Sequence, residues 1–226
     1  MELKDIDPSG IYLQERLFKP RYSAVFLVTV RDVTCVMKVH HGRGPPEYYE
    51  PQDRELDIHV LESTAYIRLK ERGLCERGIV PYYLGSMRKF DPALCQPHLK
   101  MFLEDDYLPS ALFLRYIPNQ QSLDLSNYTP QRMKNFMSGI EEIHNAGVSH
   151  GDPKPRKVMV ITVDPERVVW MDFDRAETLE EGHITEWQKR HLQDDKDLVD
   201  GVRITLETDY ARGDGKLQES IVFFCS

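Results

Sequence analysis

Two acidic motifs and one strand lysine hold the residues best suited to chemistry. Asp152 lies in the polar loop HGDPKP, and Asp172 follows the apolar run VVWM. Carboxylates at such strand and loop ends are exposed to a cleft, and their oxygens are the hard ligands that magnesium requires. Lys38 lies inside the apolar run VMKV, where its neighbours point to the opposite face of a strand. Two carboxylates and an amine of this kind can hold a metal ion or move a proton.

The motif-bearing stretch resembles the protein kinases. HGD at 150–152 follows an amphipathic segment, and two short apolar runs lead from it to DFD at 172–174, as in the catalytic loop and metal-binding motif of kinases. The HGD variant is similar to that of RIO and aminoglycoside-phosphotransferase kinases and of short kinase-like proteins of filamentous fungi. The resemblance implies that Asp152 is catalytic, orienting or deprotonating an acceptor hydroxyl, and that Asp172 binds magnesium. It implies a structural role for His150, which would hold the backbone of the Asp-Phe segment.

The resemblance also implies a nucleotide site. Lys38 matches the strand lysine that binds ATP phosphates, and its implied catalytic partner is Glu62 on the following helix, with Glu55 as the alternative. Tyr116 and Ile117 fall where a kinase presents backbone groups to adenine. Taken alone, Lys38 is equally well interpreted as a solvated charge on a half-exposed strand.

Departures from the kinase pattern predict that ATP and magnesium bind weakly or not at all. The turn expected to cover the phosphates, within LFKPRYSA, contains no glycine, so backbone amides cannot approach a phosphate closely. Lys157 stands where kinases have a metal-binding asparagine, and an ammonium has no lone pair for a cation. Lys157 is expected to pair with Asp172, which either replaces the charge of the ion in a metal-independent nucleotide site or abolishes nucleotide binding. The segment after Asp172 is too short for the usual peptide groove, so a protein substrate held in that way is not expected.

The elements that position these residues form an α+β pattern. Three extended runs within 11–41, a helix over 53–72 and two further extended runs predict a five-stranded antiparallel sheet with one helix. A second helix begins at Pro130 behind the capping residue Thr129 and ends before Gly147. Two short strands and two helices, over 184–192 and 195–210, complete the chain. With the resemblance, this order implies a two-lobed kinase-like fold, with a sheet-rich lobe over 1–118 and a reduced, mainly helical lobe over 119–226.

Composition narrows the class of protein. The chain has 226 residues, 41% of them hydrophobic, and a net charge of −8. This balance is that of a globular domain and argues against a general nucleic-acid or anionic-membrane surface. Because no run approaches the ~18 apolar residues of a membrane span and the N-terminus lacks a signal-peptide pattern, we expect an intracellular, cytoplasmic protein.

These observations lead to two hypotheses of function. In the first, a kinase-like scaffold of the pseudokinase type binds or converts a small organic molecule in the cleft between the lobes without phosphorylation, for example as a biosynthetic isomerase or cyclase. In the second, Lys38, Asp152 and Asp172 serve an atypical ATP-dependent phosphotransferase acting on a small molecule or protein. Fold alone does not choose between these chemistries.

Overall fold

The computed structural model describes residues 2–18, 23–51, 54–180 and 182–225 as a mixed α+β protein with two compact units. The first unit comprises residues 1–63 and 82–116, and the second comprises 64–81 and 117–226. Residues 64–81 thus pack with the second unit, whereas the sequence assigned all of 1–118 to one lobe. No helix in the described part of the chain is long and apolar enough to cross a membrane.

The first unit is built on a five-stranded antiparallel sheet, which confirms the strand prediction. The chain forms a meander through three strands because β-branched and aromatic residues alternate along it and Arg31 and Asp32 form its second turn with positive φ angles. The strand order is β1-β2-β3-β5-β4. The strands are β1 (Ile11–Phe18), β2 (Ser23–Val30), β3 (Val33–His40), β4 (Tyr83–Met87) and β5 (Ser110–Arg115).

Alternation along the central strand β3 separates the core from the polar face of the sheet. Met37 and Val39 are fully buried in one apolar cluster together with Phe26 of β2. Because side chains alternate between faces, Lys38 and His40 point away from that cluster. Both are nevertheless more than nine-tenths buried. A lysine and a histidine buried side by side require polar partners.

The first helix, α1 (Ile58–Glu71), begins later than predicted. Asp53, the predicted start, lies outside the described residues, and residues 54–57 are not helical. The Asp57 carboxylate accepts hydrogen bonds from the backbone N–H groups of His59, at 2.9 Å, and Val60, at 3.4 Å. Asp57 therefore caps the helix and sets its start. Gly73, with a φ of 76°, lies just beyond its end, where a left-handed conformation favours glycine.

The second unit contains α2 (Pro130–Asn145), which matches its prediction at both ends. The Thr129 hydroxyl accepts a hydrogen bond from Arg132 N at 3.0 Å, and Pro130 occupies the first turn, where its missing N–H costs nothing. Gly147 has a φ of 79° and reverses the chain after the helix. The Phe136 ring of α2 stacks on Trp170 at 4.8 Å between centroids, so the helix packs against the sheet that carries the acidic motifs.

Two small sheets complete the second unit. One has the order β6-β8-β9, where β8 and β9 are the two predicted short strands and β6 is an addition; the other pairs β7 with β10. Both are antiparallel, and the HGD motif lies between β7 and β8, while the DFD motif follows β9. The strands are β6 (Gln120–Ser122), β7 (Val148–Ser149), β8 (Val158–Ile161), β9 (Asp164–Trp170) and β10 (Glu177–Thr178).

One long helix, α3 (Glu186–Arg212), replaces the two helices predicted after residue 184. Its range contains no proline, and Thr185 and Gln188 form a capping box at its start. The prediction of a break was wrong, since the backbone stays helical through residues 192–195, where the buried Asp195 accepts a hydrogen bond from His150 N. A short helix, α4 (Ile221–Cys225), follows. The buried face of α3 is formed by Asp195, Val199, Val202, Leu206 and Asp209.

Candidate functional site

The ammonium group of Lys157 lies among three carboxylates in the second unit. It forms a close ion pair with Asp172 and lies 3.2 Å from Asp174 Oδ1 and 3.8 Å from Asp152 Oδ2. Only 9% of the Lys157 side chain is exposed, against 33% for Asp172 and 24% for Asp174. The predicted pairing of Lys157 with Asp172 is therefore present, and it also links the two acidic motifs. Asp174 is a partner that the sequence analysis did not foresee.

Backbone geometry brings these groups together. Lys157 directly precedes β8, and its carbonyl accepts a hydrogen bond from Met171 N at 2.9 Å, just beyond the end of β9. The β8–β9 hairpin thus places Lys157 next to the residues that follow Met171. Asp172 has a φ of 65°, a left-handed conformation that costs free energy for a residue with a side chain. That conformation is held where the carboxylate meets its ion-pair partner.

The carboxylate of Asp152 is 6% exposed and surrounded by cations. Arg156 donates to its Oδ2 at 2.9 Å, while Lys154 lies 4.0 Å from Oδ1 and Lys157 lies 3.8 Å from Oδ2. These contacts keep the carboxylate oriented in the loop. The predicted role of Asp152 toward an acceptor hydroxyl stays a prediction.

The side chains around Lys157 do not fit a magnesium ion while its ammonium group is in place. Asp172 and Asp174 offer the oxygen ligands that magnesium takes, but the group between them is a cation without a lone pair. A second cation there would be repelled by the ammonium that it must displace. Over the described ranges 2–18, 23–51, 54–180 and 182–225, no group of three or more His, Cys, Asp or Glu side chains could hold a metal ion.

His150 contacts the Asp-Phe segment, as the sequence suggested. Its Nε2 lies 3.2 Å from the carbonyl oxygen of Met171, and its ring packs 4.7 Å from that of Phe173. Burial lowers the pKa of His150, so the ring is neutral and Nε2 donates the hydrogen bond. This contact joins the loop that bears Asp152 to the segment that bears Asp172.

Asp195 of α3 holds the other side of the same loop, and sequence reasoning missed it. Its carboxylate accepts hydrogen bonds from Ser149 Oγ at 2.9 Å and from the backbone N–H groups of His150 at 2.8 Å and Gly151 at 3.1 Å. His144 Nε2 lies 3.1 Å from the same carboxylate. The signal that could have revealed it is an acidic residue on the apolar face of an otherwise amphipathic helix, because a buried carboxylate requires hydrogen-bond donors.

Gly151 is required by the shape of the loop. Its φ is 75°, and a Cβ atom there would lie 2.3 Å from the carbonyl oxygen of Arg175. Because that oxygen belongs to the backbone, it can move away only if the backbone itself shifts. The middle position of the HGD motif therefore has room for glycine alone in this fold.

We expect Gly151→Ala to lower the free energy of unfolding by about 3 kcal/mol, since strain at a left-handed residue is joined by a backbone clash. Gly73→Ala is the matched control, because Gly73 has a φ of 76° and no atom within 4 Å of its would-be Cβ. The control should lose about 1 kcal/mol, the cost of the conformation alone. Urea unfolding measures both; equal losses would contradict the clash.

In the first unit, Lys38 pairs with Glu62 as predicted. Lys38 Nζ lies 2.8 Å from Oε1 and 2.7 Å from Oε2 of the fully buried Glu62 carboxylate. Glu55, the alternative partner, is exposed, and its carboxylate accepts from the backbone N–H groups of Leu56 and Asp57. Lys38 is thus a buried, paired charge, and its interpretation as a solvated charge is wrong.

The structure does not test two parts of the predicted nucleotide site. Tyr116 and Ile117 follow β5 and are half-buried, and their role toward adenine stays a prediction. The glycine-free turn predicted to cover the phosphates includes residues 19–22, which lie outside the described residues.

Comparison with known proteins does not assign this chain to a family. No protein-family model matches this chain, and no curated protein matches it at a significant level of similarity. The residues of the site are therefore the basis for a proposal of function.

Proposed function

We propose that this protein is a kinase-like scaffold of the pseudokinase type that binds or converts a small organic molecule without transferring phosphate. The observation that carries the proposal is the position of Lys157, whose ammonium group contacts Asp172 and Asp174 where a kinase would hold a metal ion. A fixed ammonium supplies positive charge to these carboxylates without a metal. Phosphoryl transfer depends on metal ions that bridge and neutralise the phosphates, and this arrangement disfavours them.

Three features support the kinship itself. The first unit has a five-stranded antiparallel sheet with a lysine on its central strand, and that lysine pairs with a helical glutamate. The second unit has an aspartate loop before a β-hairpin and an Asp-Phe pair after it. His150 of the loop bonds to the backbone next to that pair.

The exposed parts of the site indicate the kind of ligand. Asp172 and Asp174 are each partly open to solvent, whereas Lys157 is covered. Carboxylate oxygens accept hydrogen bonds from hydroxyl and ammonium groups. We therefore propose a polar organic ligand whose hydroxyl or amine groups contact these carboxylates. An isomerase or cyclase reaction on such a ligand is one form of catalysis that needs no phosphate donor.

The second hypothesis, an atypical ATP-dependent phosphotransferase, is favoured by one observation. The contact of Lys38 with both oxygens of Glu62 is the arrangement that an active kinase needs in order to bind ATP phosphates. In this hypothesis Asp172 would hold a single magnesium ion, which would neutralise phosphate charge, and the Lys157 side chain would have to move away from Asp172.

A thermal-shift experiment separates the two functions. We expect ATP with magnesium to raise the melting temperature of the purified chain no more than ATP with EDTA does. In a nucleotide-free screen of sugars, hydroxy acids and amines, we expect compounds that stabilise the wild type but not Asp172→Asn. Asp164→Asn, an exposed aspartate on β9, is the matched control and should respond like the wild type. A magnesium-dependent ATP shift that Asp172→Ala abolishes would favour the phosphotransferase instead.

A further inference from the structure

The loop after β3 carries the sequence Gly-Pro-Pro-Glu-Tyr-Tyr-Glu-Pro over residues 44–51. Its Pro-Pro pair and both of its tyrosines lie in no helix or strand and are exposed to solvent. Tyr48 is 93% exposed and Tyr49 is 72% exposed. Because burial of a tyrosine ring is favourable, these rings are surface that a partner could cover with a gain in free energy. The loop therefore presents aromatic and proline side chains that the described part of the chain does not cover.

The Pro-Pro pair restricts the backbone of the loop to extended conformations. The ring of each proline fixes its own φ at about −65°, and Pro46 also disfavours a helical backbone at Pro45. The conformation that remains is the polyproline II helix, which has no internal hydrogen bonds and leaves its carbonyl oxygens to solvent or to a partner. A segment that is already restricted in this way loses little conformational entropy when it is bound.

Polar contacts form a turn directly after the Pro-Pro pair. The Glu50 carboxylate forms an ion pair with Arg43 and accepts a hydrogen bond from Glu47 N at 2.8 Å. Glu50 N in turn donates to the Glu47 carbonyl oxygen at 2.9 Å, so the chain reverses between these two residues. Tyr48 and Tyr49 are the two central residues of this turn, and their exposure places both side chains on its solvent-facing side.

The start of the loop is packed against another segment of the first unit. A Cβ atom at Gly44 would lie 2.5 Å from the Tyr107 ring, so the backbone there approaches that ring closely. Three residues earlier, His41 Nδ1 lies 2.6 Å from Asp105 Oδ2. These contacts hold the residues directly before the Pro-Pro pair, so the pair extends from a fixed base.

We propose that residues 45–48, Pro-Pro-Glu-Tyr, are a docking motif for a WW domain. Domains of this class pack a pair of prolines, in the polyproline II conformation, against aromatic rings of a groove, and an adjacent pocket takes a tyrosine two residues further on. Tyr48 stands two residues after Pro46, whereas Tyr49 is one residue too far. An SH3 domain requires Pro-x-x-Pro, and the prolines of this loop, at positions 45, 46 and 51, are not three apart.

Isothermal titration of the full chain with a recombinant WW domain that binds Pro-Pro-x-Tyr peptides tests the proposal. We expect the wild type to bind and Tyr48→Ala to weaken binding about thirtyfold, the effect of truncating an aromatic hot spot. Pro46→Ala should weaken it about tenfold. Tyr49→Ala is the matched control, because it removes the same side chain from the adjacent exposed position, and binding should stay within about twofold. Since all three side chains are exposed, the melting temperatures should match that of the wild type.

Two results of the titration would overturn the docking motif. One is a wild-type chain that does not bind the WW domain, and the other is an equal loss of binding in Tyr48→Ala and Tyr49→Ala. A recombinant SH3 domain is the second probe and should not bind; binding to it in place of the WW domain would likewise reject the motif. The motif lies in the first unit and Lys157 in the second, so docking does not rest on the proposed small-molecule function.

Discussion

Asp195→Ala is expected to lower the free energy of unfolding by about 3 to 5 kcal/mol, the range for removing one partner of a buried charged network. The substitution leaves two backbone N–H groups, of His150 and Gly151, without their acceptor inside the protein. It also leaves the hydroxyl of Ser149 without this acceptor. Each unsatisfied buried donor costs about 1 to 3 kcal/mol. The loop that carries Asp152 should therefore lose its shape together with stability.

Asp194→Ala is the matched control for this prediction. Asp194 is the adjacent residue of α3 but is exposed, so its loss should change the free energy of unfolding by less than about 0.5 kcal/mol. Asp195→Asn keeps one acceptor oxygen and should fall between the two. Urea denaturation at neutral pH measures all three variants. Similar values for Asp194→Ala and Asp195→Ala would show that the network contributes nothing.

The contribution of Asp195 should also depend on pH. Burial alone would raise the pKa of this carboxyl, but hydrogen bonds from His144, His150 N and Ser149 outweigh burial and leave the pKa below its ordinary value of 3.8. A carboxyl with a lowered folded-state pKa stabilises the protein fully above the unfolded-state value and loses that contribution as the pH falls through the folded-state value. The difference in unfolding free energy between the wild type and Asp195→Asn should therefore be constant near neutral pH and shrink below about pH 4.

Lys157→Asn is expected to create a magnesium response that the wild type lacks. The asparagine replaces an ammonium group by an amide oxygen next to Asp172 and Asp174, so a cation site gains a ligand and loses its competitor. Magnesium at about 100 times its dissociation constant would then stabilise the variant by about 2.7 kcal/mol. Thermal unfolding measures the effect, when each protein is heated once with magnesium chloride and once in the same buffer with EDTA and no added magnesium.

Two controls separate the parts of this effect. Lys157→Met removes the charge without adding an oxygen, so it should be less stable than the wild type and respond to magnesium more weakly than Lys157→Asn. Lys154→Asn makes the same exchange at a lysine 4.0 Å from Asp152 and should show no response. An equal magnesium response in the wild type would mean that Lys157 does not obstruct the ion, and the proposed function would lose its main support.

Local sequence signals were sufficient to predict α2 and the strands of the five-stranded sheet. Thr129 and Pro130 marked the start of α2, and the alternation of apolar residues marked the sheet strands, because caps and side-chain periodicity act over a few residues. The same reasoning failed for α3. There the sequence predicted two helices, over 184–192 and 195–210, whereas the structure has one helix whose buried Asp195 is bonded to His150, 45 residues earlier in the chain.

The same distinction between local signals and long-range contacts applies to the residues of the candidate site. The sequence by itself determined which charged residues were available, and the position of Lys157 relative to the two acidic motifs already indicated its contact with Asp172. Only the tertiary structure decided that Asp174 shares that ammonium group and that Asp195 anchors the loop. The physical reason is that a buried charge is satisfied by whichever groups the fold brings within about 3 Å, and these are set by packing between elements rather than by spacing along the chain.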